Sequence, residues 1–346
     1  MKRFLGYVKE IPLRKKIKYC TILISFVVLF LFLGFGSKIK NMLPDLNAYK
    51  KWDSDGGYTQ MSVYLPVGMM QDTMMYDGMM YQMQENLKTE GVEAKNPKSR
   101  IMLGAYSGYG QVSLQTSMAM VQVNAIGVGG DFFYFHPIEL VDGTYLADNY
   151  LMKDYVILDR ETAWKLFGAT NVTGMTVTIG NIPFIVAGVY DPSDVFLSKE
   201  AGLQDSIVYM FYGSLEEYGT VSGIQWLDFI IPNQVKGFAE KILTENGMMD
   251  LEQAVVIDNS TRFQALSLYK LIPNYLERVM SKTGIVYPYW ENVARGYENI
   301  LVAFLLIETV CLLYGVVMLL TVIKPVKNIK KGINFCVSKI KGRKSL

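Results

Sequence analysis

Few residue types in this sequence could carry covalent or metal chemistry. His136 is the single histidine, so a serine–histidine–aspartate relay or an imidazole-held metal would have to use it. Pro137 follows it, and the reading that fits is a hydrogen-bonded core or surface histidine. Ser267 and Lys270 show S-x-x-K spacing, and Lys282-Thr283-Gly284 reads K-T-G, two elements of penicillin-interacting enzymes. Those enzymes hold the elements far apart with S-D-N between them, whereas here both fall on one short stretch, so chance accounts for the match. Gly127-Val128-Gly129-Gly130 lacks the third glycine of a dinucleotide loop, and no G-x-x-x-x-G-K-[ST] run occurs. Asp53-Ser54-Asp55-Gly56-Gly57 opens like a calcium loop, but residues 61–70 supply no later acidic ligand, which leaves a plain turn. The expectation is therefore a protein that is not an enzyme, with no catalytic, cofactor-binding or metal-binding residues.

The elements that hold these residues begin with two apolar runs. Residues 19–37 carry no charge, and residues 300–323 carry only Glu308. A helix rises about 1.5 Å per residue and a bilayer core is about 30 Å thick, so each run can span one. Residues 1–18 hold seven basic residues and one acid, and residues 324–346 hold eight basic residues and no acid. Residues 38–297 hold nineteen basic and twenty-nine acidic residues. By the positive-inside rule both termini are cytoplasmic and the middle is an extracytoplasmic domain. The basic tail is expected to lie against anionic lipid, and the acidic middle gives no surface for nucleic acid. Cys20, Cys311 and Cys336 all lie in or beside the apolar runs, so no disulfide framework holds the domain.

Glu308 is the costly residue of the second run. An acid there is expected to face a protein partner, and a seam through Leu301, Glu308, Leu312 and Gly315 follows from spacings of four and seven. Small Gly315 would let a second helix approach.

Between the runs the pattern alternates between strand and helix. A strand is expected near residues 58–67, then a helix over 71–90 capped by Asp72 and closed by Gly91. Met75, Met79, Met83 and Leu87 recur at helical spacing, which reads as a face packed on a sheet rather than a soft-metal site. Strands follow within 100–126, at 155–158, 175–179, 184–189, 206–211, 225–231 and 251–257. A short helix starts at Asp159 and ends at Gly168, and Gly180-Asn181 is a two-residue hairpin turn. Helices are expected at 235–245 and, interrupted by Pro273, at 261–282. The sum is an α+β domain with a mixed sheet, in one or two lobes, flanked by two transmembrane helices.

Residues 127–191 resemble the extracytoplasmic core domain of MacB/FtsX-type ABC transporter permeases. The resemblance rests on Val128-Gly-Gly-Asp131-Phe132-Phe133, Leu140-Val-Asp142-Gly143, Val156-Ile-Leu158, Ala163-Trp-Lys-Leu166-Phe167-Gly168, Val172-Thr-Gly174 and Phe184-Ile-Val-Ala-Gly188-Val189. In that family a strand end, a loop, a short helix and a hairpin follow in this order, within a domain inserted between two membrane helices. The resemblance implies a non-catalytic membrane subunit that couples a partner ABC ATPase to an outer domain, for export or envelope remodelling. Such permeases continue into two further membrane helices, whereas this sequence ends at Leu346. A further permease chain or a second copy is thus the implied companion. The competing expectation is a stand-alone two-anchor receptor or scaffold that binds peptide, lipid or envelope polymer.

Overall fold

The computed structural model describes residues 13–94, 99–192, 197, 201, 206–245, 250–275, 281–282 and 284–342. Two compact units divide the chain: residues 1–40 with 300–346, and Asn41–Asn299.

The first unit pairs two helices. Helix α1 (Leu13–Asn41) contains the apolar window Ile17–Gly36, whose mean hydropathy is 2.4. The chain then turns through a single 3-10 turn, Pro44–Leu46, and the five-residue α2 (Ala48–Trp52). The second candidate span falls within Tyr289–Leu320 of the chain's last helix, where the most apolar stretch of eighteen residues has mean hydropathy 2.6. Ser25 donates its hydroxyl to the Cys311 carbonyl at 2.7 Å, and Phe32 meets Phe304 edge to face at 4.7 Å. Among the described residues, these are the two helices long and apolar enough to cross a membrane.

In the second unit, β1 (Tyr58–Tyr64) leads to α3 (Thr73–Thr89). The Asp72 carboxylate caps α3 by accepting from the Met74 amide. The long hairpin β2 (Leu103–Gln115) and β3 (Met120–Gly130) follows, then the one-turn α4 (Phe132–Phe135) and β4 (Glu139–Gly143). Next come β5 (Tyr155–Asp159), α5 (Arg160–Phe167) and the hairpin β6 (Thr176–Ile179) with β7 (Ile182–Asp191). Gly180 and Asn181 both take positive φ, 54° and 77°, as a two-residue turn of the primed kind requires. After β8 (Ile207–Phe211) lie α6 (Tyr212–Tyr218), β9 (Thr220–Val221), β10 (Trp226–Pro232), α7 (Phe238–Thr244) and β11 (Val255–Asp258). Helix α8 (Ala265–Leu271), the strand pair β12 (Ser281–Lys282) and β13 (Ile285–Val286), and α9 (Tyr289–Gly342) complete the chain.

Eleven strands form one sheet in the order β11-β1-β10-β2-β3-β8-β5-β7-β4, with β6 and β9 paired at its side. The pairs β3/β8 and β5/β7 are parallel and the others antiparallel, so the sheet is mixed. Three apolar clusters divide it. On one face, Met79, Met83 and Leu87 of α3 join Met61, Val63 and Phe229, which confirms the methionine stripe as core. The opposite face of the same strands carries an aromatic cluster with Phe132, Tyr209, Trp226 and Trp290. A third cluster gathers Leu114, Val156, Leu166, Val177 and Phe184 around the β6/β7 hairpin. One sheet therefore runs through what the pattern left as one or two lobes.

Several boundaries differ from the pattern's expectation. The stretch 261–282 is not one helix: α8 passes into a 3-10 turn at Ile272–Asn274, because Pro273 has no amide to continue the ladder. Val235 is exposed and Gly237 takes φ 86°, so α7 starts at Phe238 rather than 235. Residues 140–143, expected as a loop, form the edge strand β4, and the Phe132-Phe133 strand end is a helical turn. Strand 251–257 is shifted to Val255–Asp258. The last helix begins at Tyr289, earlier than 300, because Trp290, Val293, Ala294 and Tyr297 are buried at helical spacing. The side chains of residues 321–346, which include the basic tail and Cys336, and all of residues 1–12 lie outside the described residues.

Candidate functional site: a row of buried polar side chains

Alternation along β1 sends Met61 and Val63 to one face and Gln60, Ser62 and Tyr64 to the other. In the antiparallel register Ser62 lies opposite Asp228, the one charge in the apolar run of β10. The Ser62 hydroxyl donates to Oδ1 of Asp228 at 2.5 Å. The other carboxylate oxygen of Asp228 lies 2.9 Å from Nε2 of His136. Nδ1 of the same ring lies 3.0 Å from Oδ1 of Asp45, in the 3-10 turn that follows α1. Gln60 reinforces this end, since its amide nitrogen donates to the Asp45 carbonyl and its amide oxygen accepts from the Ala48 amide.

His136 is 2% exposed and stacks at 4.2 Å on Trp290. Burial alone would lower its pKa, but the Asp228 charge and the hydrogen bonds to Asp228 and Asp45 outweigh it and hold the ring up at about 9. Near neutral pH the imidazolium donates from both nitrogens to two carboxylates. Lone His136 is thus the hydrogen-bonded core histidine that the sequence led us to expect.

The row continues from Ser62 away from His136. Asn259 donates to the Ser62 oxygen at 2.7 Å, and its own carbonyl oxygen accepts from Arg262 at 3.3 Å. A turn capped by Asp258, which accepts from the Ser260 amide at 2.9 Å, presents both residues. Arg262, 4% exposed, then grips two carboxylates of α9. It makes a bidentate pair with Glu291 at 2.6 and 2.8 Å and a single bond to Glu298 at 2.5 Å. Arg295 adds a 2.7 Å bond to Glu291, one helical turn away, and lies over the Tyr287 ring. Tyr64 donates to Glu291 at 2.9 Å. Burial would push the Glu291 pKa up, but Arg262 and then Arg295 keep the carboxyl below its usual value.

The charged and polar side chains of this row pair with one another. What the row can do is fix geometry. Taking charges out of water costs several kcal/mol per ion, recovered only while each pairing holds its distances and angles. The row therefore ties the segment after α1 and the first turns of α9 to the same sheet face with directional bonds.

A second feature is a cavity of about 420 Å³ lined by Gln111, Gln122, Asn124, Lys165, Ser206 and two valines of β3. It lies where β3 runs past the first β8 pairing, Asn124 with Ile207.

The motifs examined for chemistry stay apart. Ser267 and Lys270 sit on α8 while Ser281–Lys282 and Ile285–Val286 form a separate strand pair. Gly127, Gly129 and Gly130 lie within β3. Asp53 accepts from the amides of Asp55 and Gly57, a plain turn. Within the first unit, Leu301 and Gly315 lie against the chain's own α1: a Cβ on Gly36 would meet the Leu301 side chain, and one on Gly315 would meet Ser25. Leu312 is exposed and Glu308 half-buried. Sequence reasoning missed the row itself, though two signals existed: an acid inside the apolar β10 run, and Glu291, Arg295 and Glu298 at helical spacing.

A mixed-sheet domain flanked in sequence by two apolar helices fits a membrane protein with an extracytoplasmic domain. Residues 20–245 match the family model described as MacB-like periplasmic core domain, and the chain belongs to that family. It is 31% identical over 117 residues to the macrolide export ATP-binding/permease protein MacB of Chromobacterium violaceum, which covers 31% of this chain and 18% of that protein. Against the protein of the same description from Salmonella paratyphi A the identity is 32% over 113 residues, covering 32% of this chain and 17% of that one. The chain thus spans less than a fifth of these relatives' length. Among solved structures, the periplasmic region of MacB from Actinobacillus actinomycetemcomitans aligns with TM-score 0.41 and 18% identity, over 65% of this chain and 95% of that one. The extracellular domain of the noncanonic ABC-type transporter YknZ from Gram-positive bacteria aligns with TM-score 0.36 and 15% identity, over 57% and 99%.

Proposed function

We propose that this chain is a non-catalytic permease-type subunit that couples a partner ABC ATPase to its extracytoplasmic domain, for export or envelope remodelling. The observation that carries the reading is α9. Its first turns are locked to the outer sheet through Arg262, Glu291 and Glu298, and the same helix continues as an apolar span. A helix transmits a displacement only when its end is fixed, and this end is fixed by buried ion pairs. By the positive-inside rule this reading puts both termini in the cytoplasm, with the basic tail drawn to anionic lipid at about 1 kcal/mol per cation. The seam for a further permease chain or second copy runs through Leu301, Glu308, Leu312 and Gly315, of which Leu301 and Gly315 also lie against α1.

Affinity purification of the full chain in mild detergent, followed by mass spectrometry, is the direct test. An ABC ATPase and a second permease chain are expected, and Glu308→Leu should reduce recovery of the permease chain without lowering expression. Recovery of neither overturns the reading. It would favour a stand-alone receptor or scaffold, for which the polar cavity beside β3 is the supporting feature. Orientation is tested separately: cysteine placed at Ser54 should react with an impermeant maleimide on intact cells.

A further inference from the structure

The domain's two ends meet the sheet through side chains that touch one another. Asp45 lies in the turn after α1, and Glu298 lies two turns into α9. Between them the bonds are continuous, and the middle of the path is uncharged. Ser62 accepts from Asn259 and donates to Asp228, so its hydroxyl has one orientation that satisfies both neighbours. Asn259 in turn is held by its backbone amide, which donates to the Gln60 carbonyl at 2.9 Å.

We propose that this row is a register pin: through Ser62 and Asn259 it makes the position of residues 43–53 depend on the position of residues 291–298, so that movement of either end is felt at the other. The physical case rests on what the alternatives would cost. Hydrocarbon of the same volume would hold these elements together as well or better, because buried ion pairs seldom add net stability. Apolar packing, however, tolerates small slides, whereas a bidentate guanidinium–carboxylate pair and a doubly bonded imidazolium have discrete arrangements. Groups on both sides of β1 share that property, and Ser62 and Asn259 are polar side chains that join them, beside the Tyr64 bond to Glu291 and the His136 stack on Trp290. The proposal concerns the folded chain alone, so it stands or falls separately from the ATPase reading.

Hydrogen exchange of the full chain in mild detergent, read by mass spectrometry, tests it. The reporter is the peptide over residues 44–53, whose amides at Asn47, Lys50 and Asp53 are bonded within the segment. Glu298→Gln, at the far end, should speed exchange there several-fold. Ser62→Ala should do the same, and the double variant should fall well short of the product of the two, since part of the Glu298→Gln effect travels through Ser62. Should Glu298→Gln raise exchange throughout the domain, Arg262→Lys takes its place in the same cycle. Val63→Ala, on the opposite face of β1, is the control, and its effect should multiply with that of Ser62→Ala. Independent multiplication in the Glu298 or Arg262 cycle, or the same non-additivity with Val63→Ala, overturns the proposal.

Discussion

Two regions of one sheet solve the problem of a core in opposite ways. Around the β6/β7 hairpin the interior is aliphatic and aromatic: Leu114, Val156, Leu166, Val177 and Phe184 fill it. Around β1 and β10, where both ends of the domain converge, the interior holds His136, Asp228, Arg262, Glu291 and Glu298 beside its aromatic rings. The first region is held by area removed from water, which is non-directional and indifferent to pH and salt. The second is held by matched charges, which stabilise one arrangement and penalise near misses. The domain thus keeps its forgiving core where no chain end enters and its exacting core where both do.

The comparison breaks most readily at Arg262. Arg262→Met removes the cation shared by buried Glu291 and Glu298, leaving Glu291 with Arg295, and a loss of about 3–5 kcal/mol is expected in denaturant unfolding of the purified chain. The double variant Arg262→Met, Glu298→Gln should recover much of that, because it removes the carboxylate that lost its guanidinium while Glu291 keeps Arg295. In the other region Leu166→Ala should cost about 2–5 kcal/mol as a transfer and cavity term. No charge change elsewhere should repair it, and the loss should be the same at every pH.

His136→Gln sharpens the contrast. The His136 pKa is raised from 6.5 to about 9 in the folded chain. Its contribution is therefore complete below about pH 6.5, declines as pH rises, and is lost once pH passes about 9. The stability gap between wild type and His136→Gln should close across that window, while the gap for Leu166→Ala stays flat. A His136 gap that does not change between pH 6 and 10 would sink the assignment of an imidazolium. The smallest effect is expected at the α5 cap, where Asp159 accepts from the amides of Glu161 and Thr162 at 3.0 Å. Asp159→Ala should cost about 1 kcal/mol in thermal unfolding, without the salt dependence of the charged region.

Legibility in the sequence follows the same division. Around the β6/β7 hairpin, local signals agree with the fold: Asp159 and Gly168 bracket α5, Gly180-Asn181 makes the turn, and alternation marks β6 and β7. The α3 cap at Asp72 and the buried methionine face were readable for the same reason. In the charged region the partners are far apart in sequence, and periodicity carries no information about pairing. His136 stands out only as a lone histidine, and Asp45 and Arg262 carry no local signal; the antiparallel register of β1 with β10 sets Asp228 opposite Ser62, where His136 bridges it to Asp45. The α9 start was missed because its first turns carry Glu291, Arg295 and Glu298, which read as an exposed stretch until Arg262 is placed among them.

The β2/β3 hairpin joins these two regions, and its length has a mechanical meaning. Thirteen residues at about 3.3 Å each make β2 a beam of roughly 40 Å. Near the middle of β2, Gly110 lies under the Thr220 carbonyl, and at the far end of β3 Gly129 lies under the Tyr106 ring, both too close for any Cβ. Neighbouring groups fill the space those side chains would take, and β10 and β8 pair along the two outer edges of the hairpin, so the beam is held in a continuous sheet. The same β2 strand pairs with β10 at one end and with β6 at Gln115, so the charged region and the β6/β7 hairpin share one unbroken backbone ladder.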